Sequence, residues 1–399
     1  MFHTQDNLKT LLFEIRFKYF VIVFQIMVKV GLLMTTYNEE KVIKRCLESI
    51  LPFFDYYSIG VDEKTTDNTK AIIEDTLKNK TGIVFDSPWN GFADARNQAF
   101  KKFHWDVDWY FIFDADMVAI TQGFNVSQLD SKEIGYFIPI KKDGYTWDCN
   151  WIINANFDWE WKGVLHEYLE CKNNNQMITN RLGNIYFNHL ADGGGRDKGP
   201  NLWKGDADIL LKGLVEETDP YLIRRYTYYL ANSYRDAEMK KEAILFYRIR
   251  ANMGGWNEEL YLSNYYAGLL SENPQDYINA LKIIPTRYDA LIELIRYGYF
   301  KNKREIIEIG LTHYNEILNG NDTWNKEGLF FQKREFELHK MVSIGLAKNQ
   351  RYKEAVELTG KLLDEITNND NYFDFDINEI NQEDINHLKN NLTYYKSKL

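Results

Sequence analysis

The stretch Trp109-Tyr110-Phe111-Ile112-Phe113-Asp114-Ala115-Asp116 constrains this chain more than any other. The unbroken apolar run from Trp109 to Phe113 reads as a strand buried on both faces, and two carboxylates at its C-terminal end are unfavourable unless something positive lies between them. Alone, such a pair serves equally as a helix cap or a turn. In an open α/β sheet, however, ligands sit beyond the carboxyl ends of the strands, where an Asp-x-Asp can carry a divalent cation that holds a nucleotide diphosphate. The rest of the sequence has to decide between these readings.

The flanking pattern is α/β. Val30-Gly31-Leu32-Leu33-Met34 predicts a first buried strand, and Thr36-Tyr37-Asn38-Glu39-Glu40 a turn into a helix that runs to Ile50 and is stopped by Pro52. A second strand is expected over Tyr57–Asp62, then a helix capped by Thr66-Asp67 and carrying Ala71, Ile72, Ile73 and Leu77 at helical spacing. Ile83-Val84-Phe85 reads as a third strand, and a helix from Phe92 to Phe103 precedes the acidic strand. Such alternation implies a mostly parallel sheet with right-handed crossovers, flanked by helices. From Ile134 to Asp208 the pattern changes to shorter strands rich in Trp and Asn, including Ile134–Ile140 and Ile185–His189.

Beyond Glu217 strand signals vanish. Tyr226 to Arg250 reads as a helix pair, a related pattern returns at Leu346–Ala355, and weaker copies surround Tyr265-Tyr266-Ala267 and Pro285–Ala290. Repeats of roughly 30 to 34 residues with small residues at helix crossings predict an all-α, tetratricopeptide-like region. Its expected concave face suits an extended peptide, a protein partner or a second copy of the chain. The expected organisation is therefore an extension at 1–27, an α/β domain at 28–210 and helical repeats at 211–399. A polar tail after Asn368 leaves room for a capping helix.

With 399 residues and 45% hydrophobic content, the chain can build two or three cores. A net charge of -10 argues against an extended nucleic-acid contact, so any phosphate it holds should be small and bridged by metal. Cys46, Cys149 and Cys171 are odd in number and lack metal-ligand spacing, which points to a reduced, cytoplasmic compartment. The apolar segment Tyr19–Val28 falls short of the roughly 20 residues a membrane helix needs, so no stable membrane insertion is expected.

Polar sets follow three of the predicted strands: Tyr37, Asn38 and Glu39 after the first, Asp62 after the second, Asp114 and Asp116 after the fourth. In that order and spacing they resemble family-2 glycosyltransferases of the GT-A type, over about Val30 to Arg196. One departure stands out, since Asp62-Glu63-Lys64-Thr65 replaces the family's usual Asp-Asp-Gly-Ser. The resemblance implies a uridine diphosphate sugar as donor, with Thr36 and Tyr37 near the nucleobase, Glu39 and Asp114 toward the ribose, and Asp62 accepting from the uracil imide. It further implies Mn²⁺, or Mg²⁺, held by Asp114, Asp116 and a late histidine, His189, the imidazole favouring Mn²⁺. Ala95-Arg96-Asn97 is similar to a family element, so Arg96 is expected to brace the diphosphate side, and Asp94 to touch donor or acceptor.

Glu167, in Trp161-Lys162-Gly163-Val164-Leu165-His166-Glu167, is the expected catalytic base, its pKa raised by Trp159 and Trp161; Asp158 and Glu160 are substitutes. A zinc-protease reading of His166-Glu167 fails because position 170 is Glu170 rather than a second histidine. In the glycine-rich Gly193–Gly199 loop, Arg196 and Lys198 would offset charge on the departing diphosphate. The expected function is metal-dependent, inverting transfer of a sugar, glucose or N-acetylglucosamine, to a protein or glycan hydroxyl. Two alternatives remain: a scaffold carrying a degenerate transferase domain, and a nucleotidyltransferase. The latter would want a glycine-rich, basic loop after the first strand, and Thr35–Glu40 has no such composition.

Overall fold

A computed structural model describes residues 28–143, 145–174, 178–193, 200–320, 323–324, 328, 334–368, 372–373, 375, 377 and 380–399. The expected extension at 1–27 and the loop positions Arg196 and Lys198 lie outside the described residues. The chain divides into two units, residues 1–197 and 198–399.

In the first unit, β1 (Val30–Thr36), β2 (Tyr56–Asp62), β3 (Thr81–Ser87) and β4 (Trp109–Ile112) run parallel, with α1 (Ile43–Ile50), α2 (Thr69–Thr76) and α3 (Phe92–Lys102) as crossovers. Helices flanking the sheet bury β1 almost completely, which is why it is apolar at every position up to its last two threonines. Gly31 is required there, because a Cβ would come within 2.3 Å of the Phe103 ring. Pro52 does not simply stop α1: it sits in the 3-10 turn Leu51–Phe53, where its missing N–H is harmless.

The sheet continues with β5 (Met117–Thr121), β6 (Gly135–Lys142), β7 (Tyr145–Asn154) and β10 (Ile185–His189), in the order β3-β2-β1-β4-β7-β6-β10-β5. β7 is antiparallel to both β4 and β6, and β10 is parallel to β6 and antiparallel to β5. The short β8 (Trp159–Lys162) and β9 (Tyr168–Cys171) pair as a separate hairpin. The result is a mixed, mostly parallel eight-stranded sheet flanked by helices. The chain leaves β1 towards β2 on one side and returns to β4 on the other, so a topological switch point lies between β1 and β4. The Tyr37 turn and the Asp-x-Asp leave from the carboxyl ends of those two strands.

The second unit is helical throughout its regular elements: α4 (Pro200–Glu216), α5 (Pro220–Asp236), α6 (Lys240–Ala251), α7 (Asn257–Ser271), α8 (Pro274–Ile283), α9 (Asp289–Phe300), α10 (Arg304–Asn319), α11 (Glu335–Lys348), α12 (Tyr352–Asn368) and α13 (Gln382–Lys396). α4 spans the expected boundary at residue 210 and belongs to this unit. Four successive helix pairs turn through one left-handed residue: Glu238, Glu272, Asn302 and Gln350. In three of these turns the next N–H reaches back five residues, from Met239 to Tyr234, Lys303 to Gly298 and Arg351 to Leu346, satisfying a terminal carbonyl. Buried ion pairs, Arg250 with Glu259 at 2.8 Å and Arg287 with Asp289 at 2.7 Å, fix the packing. Among the described residues, no helix is long and apolar enough to cross a membrane.

Candidate active site

The turns after β1 and β2 are laced together. Asn38, at φ +52°, turns its Oδ1 to accept from the Thr66 N–H at 2.8 Å, and Thr69 Oγ1 accepts from the Glu39 N–H at 2.7 Å. Asp67 accepts from the N–H groups of Glu40 and Thr69, both at 3.0 Å, and Glu40 accepts from the Asn68 N–H at 3.1 Å. Burial alone would raise the Asp67 pKa, but the Thr69 hydroxyl and these N–H groups outweigh it and hold the carboxyl below its ordinary range. Asp62 accepts from the Lys64 N–H at 2.8 Å, closing its own turn. Thr36 belongs to this scaffold: it is buried, and its hydroxyl donates to the Gly60 carbonyl at 3.3 Å. Tyr37 stands exposed beside it.

The two acids of the Asp-x-Asp part company. Asp114 receives the fork of Arg96, whose Nη1 and Nη2 lie 2.9 and 3.2 Å from its oxygens, while Nε of the same guanidinium donates to Glu167 Oε1 at 2.7 Å. Trp161 stacks on the guanidinium with its ring centre at 4.8 Å, and the Arg96 and Glu167 side chains are each only 11% exposed. A rigid, five-donor fork on α3 can bridge two carboxylates in a way a lysine could not. This corrects one expectation. Burial would push the Glu167 pKa up, but Arg96 outweighs it and holds the carboxyl below the ordinary glutamate range.

Asp116 faces the other way. Its Oδ2 lies 2.9 Å from His189 Nε2, and the Leu190 N–H donates to its carbonyl at 3.1 Å. Pairing of β10 with β5 sets His189 opposite Met117 and so beside Asp116. His189 Nδ1 is buried and without a hydrogen-bond partner. Nε2 is the ring nitrogen that faces the carboxylate, and one carboxylate with one imidazole is a donor set that Mn²⁺ accepts. Asp114 does not join them, because Arg96 holds it; among the described residues no three His, Cys, Asp or Glu side chains group to hold a metal ion. Of the three expected ligands, Asp116 and His189 lie together, while Asp114 lies against Arg96.

Glu167 closes the loop between β8 and β9, so His166-Glu167 is on a hairpin and not on the helix a zinc protease needs. Gly163 at φ +111° and His166 at φ +54° turn that loop. The Asn97 side chain anchors it at two points, donating to the Trp161 carbonyl and accepting from the Trp161 N–H, both at 2.9 Å. The substitutes lie elsewhere on the hairpin, Asp158 paired with Lys172 at 3.3 Å and Glu160 with the same lysine at 3.9 Å. Asp94 is taken up by Gln98 Nε2 at 2.5 Å and Asn90 Nδ2 at 3.3 Å. Burial pushes the Cys149 thiol up to about 12, and burial with Asp114 nearby pushes Cys46 up as well, so neither is a thiolate nucleophile. Cys46 instead donates to the Asp114 carbonyl at 3.3 Å.

Beyond β10, Asp192 pairs with Arg45 at 2.8 Å, and a Cβ on Gly193 would come within 2.7 Å of a Glu39 carboxylate oxygen. The start of the glycine-rich loop therefore passes directly over the first turn. Sequence reasoning missed Asn97 and Arg45 as anchors, although Asn97 follows Arg96 in the very triplet it singled out. It also missed that Arg96 serves carboxylates at both ends.

Residues 32–122 match the family model of Glycosyl transferase family 2. A search of curated proteins finds no match. Among solved structures, the chain is similar to S. aureus TarS residues 1–349 in complex with UDP-GlcNAc, at 14% identity over 76% of this chain and 99% of that one, with a TM-score of 0.31. A second structure of S. aureus TarS aligns at 13% identity over 63% of this chain and 54% of that one, with a TM-score of 0.33. Superpositions this loose leave the argument with the family match and the geometry above. Residues 32–122, within the first unit, thus match a glycosyl transferase family 2 domain, and that match supports a glycosyltransferase.

Proposed function

We propose that the protein transfers a sugar from a uridine diphosphate donor to an acceptor hydroxyl, with inversion and with help from Mn²⁺. The observation that carries this reading is the meeting of Asp116 and His189, 73 residues apart in sequence, at the carboxyl edge beside the β1/β4 switch point. Tyr37 stacks on the uracil, Glu39 accepts from the ribose, and Asp62 accepts from the imide. Asp116 and His189 hold the cation, which when bound offsets charge on the diphosphate. Glu167 accepts the acceptor proton through Oε2, because Arg96 occupies Oε1. As the acceptor oxygen bonds to the anomeric carbon, the bond from that carbon to the diphosphate oxygen breaks and UDP departs. A carboxylate held ionised by Arg96 is a weak base, which suffices where the hydroxyl becomes acidic only as the new bond forms. Arg196 and Lys198 are assigned to the departing diphosphate, and the second unit to a tetratricopeptide-like module, an assignment its repeated left-handed turns support.

Thermal shift with UDP, GDP and the matching sugar nucleotides, each with and without Mn²⁺, tests this. UDP and a UDP-sugar should raise Tm only with the cation, by mass action on the folded state. Equal shifts from GDP, or none from any uridine nucleotide, overturn it.

A further inference from the structure

Exposed large hydrophobic side chains are unevenly spread over the first unit. Among its described residues there are five, Tyr37, Trp89, Trp147, Val164 and Leu190, and all belong to loops or strand ends at the carboxyl edge that carries the acids. Scattered singly, such residues need no explanation; gathered on one rim they mark a ligand surface. Tyr37 follows β1, while Trp147 approaches the His189 ring at 6.2 Å and Leu190 follows it, so these three belong to the donor side. Trp89 and Val164 remain.

We propose that Trp89, with Val164 on the neighbouring hairpin loop, forms the platform for a pyranose ring of a saccharide acceptor. The proposal rests on the transferase reading above and adds the class of its second substrate. Trp89 is 39% exposed, and its ring meets that of Phe92 at close to a right angle with centres 4.7 Å apart, so the indole is braced and still reaches solvent. Gly91, at φ +106°, brings this loop to the one bearing the base: a Cβ there would meet the Val164 carbonyl at 4.0 Å. α3 begins at the next residue, and its Arg96 grips Glu167, so platform and base are positioned by one short helix and its entry loop. Asn90, next to Trp89 in sequence, and Asp94, in the first turn of α3, supply an amide and a carboxylate that bond each other at 3.3 Å, the carboxylate also accepting from Gln98. An apolar face bordered by planar hydrogen-bonding groups matches a pyranose, which has a C–H face and a hydroxyl rim. The stretch from Asp86 to Asp94, the end of β3 to the first turn of α3, contains two acids, Asp86 paired with Lys70, and no Lys or Arg of its own, which offers nothing to an acidic peptide or an anionic lipid surface.

The test uses the full chain with UDP-glucose and UDP-GlcNAc, Mn²⁺, and acceptors of three kinds: methyl pyranosides and cellobiose, a Ser/Thr peptide, and open-chain sorbitol. UDP release is read against the rate with water alone. Pyranosides should raise release several-fold, Trp89→Ala should raise the acceptor KM about tenfold and the donor KM far less, and Trp89→Phe should recover most of the loss. Preference for the peptide or sorbitol, stimulation by no acceptor, or an acceptor KM indifferent to Trp89 overturns the platform while leaving donor cleavage intact. Failure to bind or cleave either UDP-sugar removes the transferase reading itself.

Discussion

Asp114 and Asp116 are separated by one residue and live in opposite electrostatic settings. On one side, Asp114 shares with Glu167 a guanidinium that stays charged at any working pH, under a tryptophan lid; on the other, Asp116 meets the His189 imidazole, with Arg45 close enough to feel its charge. The first arrangement is closed, since all three nitrogens of Arg96 already reach a carboxylate. The second is open and invites a further positive partner. A strand that stops at Ile112 makes the split possible, because Asp114 and Asp116 then lie in the turn before β5 and each is drawn to the element packed on its own side. Asp-x-Asp is thus two sites that share a turn.

The largest effect should come from the closed side. Glu167→Gln keeps the shape and an acceptor for Arg96 but removes the base, and transfer should fall by about 10² to 10⁴ while UDP-sugar affinity changes little. Single-turnover transfer set beside calorimetric donor binding checks this. If binding falls in parallel with turnover, Glu167 is a structural partner of Arg96 and the comparison loses its catalytic meaning.

Next comes Arg96→Met, which leaves two largely buried carboxylates without their cation. Stability should fall by about 3 kcal/mol, read as a lower urea midpoint at unchanged slope. Asp116→Asn should barely move that midpoint but should reduce Mn²⁺-dependent turnover about a hundredfold. If the two variants exchange these signatures, the closed and open assignments are reversed.

Acidity sharpens the contrast. Glu167 has a folded pKa below its unfolded one, so its contribution to stability is present above the ordinary glutamate range and is lost as pH falls through the depressed value. The stability gap between wild type and Glu167→Gln should therefore be constant at neutral pH and close only under distinctly acid conditions. Arg96 is pushed further up from an already high value and takes no part in that titration. Urea melts at a series of pH values decide it; a gap that closes near neutrality would mean that Arg96 does not govern the carboxyl.

How much of this could be read beforehand follows physical lines. A strand buried on both faces, such as β1, declares itself by an unbroken apolar run, and the acidic turn by its contrast with β4. β7 hid because Tyr145–Asn154 mixes Trp with Asp and Asn and resembles loop composition, yet its alternation of Trp147, Cys149 and Trp151 had a strand's period. Site geometry was legible where partners are backbone-fixed, as for Asp116 and His189 across the β5–β10 pairing. It was illegible where a long side chain chose among acids. Nothing in the spacing says that Arg96, on a helix, reaches both Asp114 and Glu167, and so the predicted rise in the Glu167 pKa had the wrong sign.

The smallest predicted effect isolates the hairpin's role on the closed side. Asn97 makes two 2.9 Å hydrogen bonds to the Trp161 main chain and touches neither carboxylate. Asn97→Ala leaves that N–H and carbonyl unpaired and should cost about 1–3 kcal/mol, whereas Asn97→Asp keeps the acceptor and loses the donor, so it should fall between wild type and Ala. Because Trp161 covers Arg96, loosening its strand should let water reach the Arg96–Glu167 pair and relax the Glu167 pKa towards its ordinary value. The acid limb of the transfer rate should then move up in pH, while the Mn²⁺ dependence proposed for Asp116 and His189 should stay where it was. A shift in both would show that the two sides of the acidic turn are one mechanical unit; a shift in neither would show that Arg96 holds Glu167 without help from the hairpin.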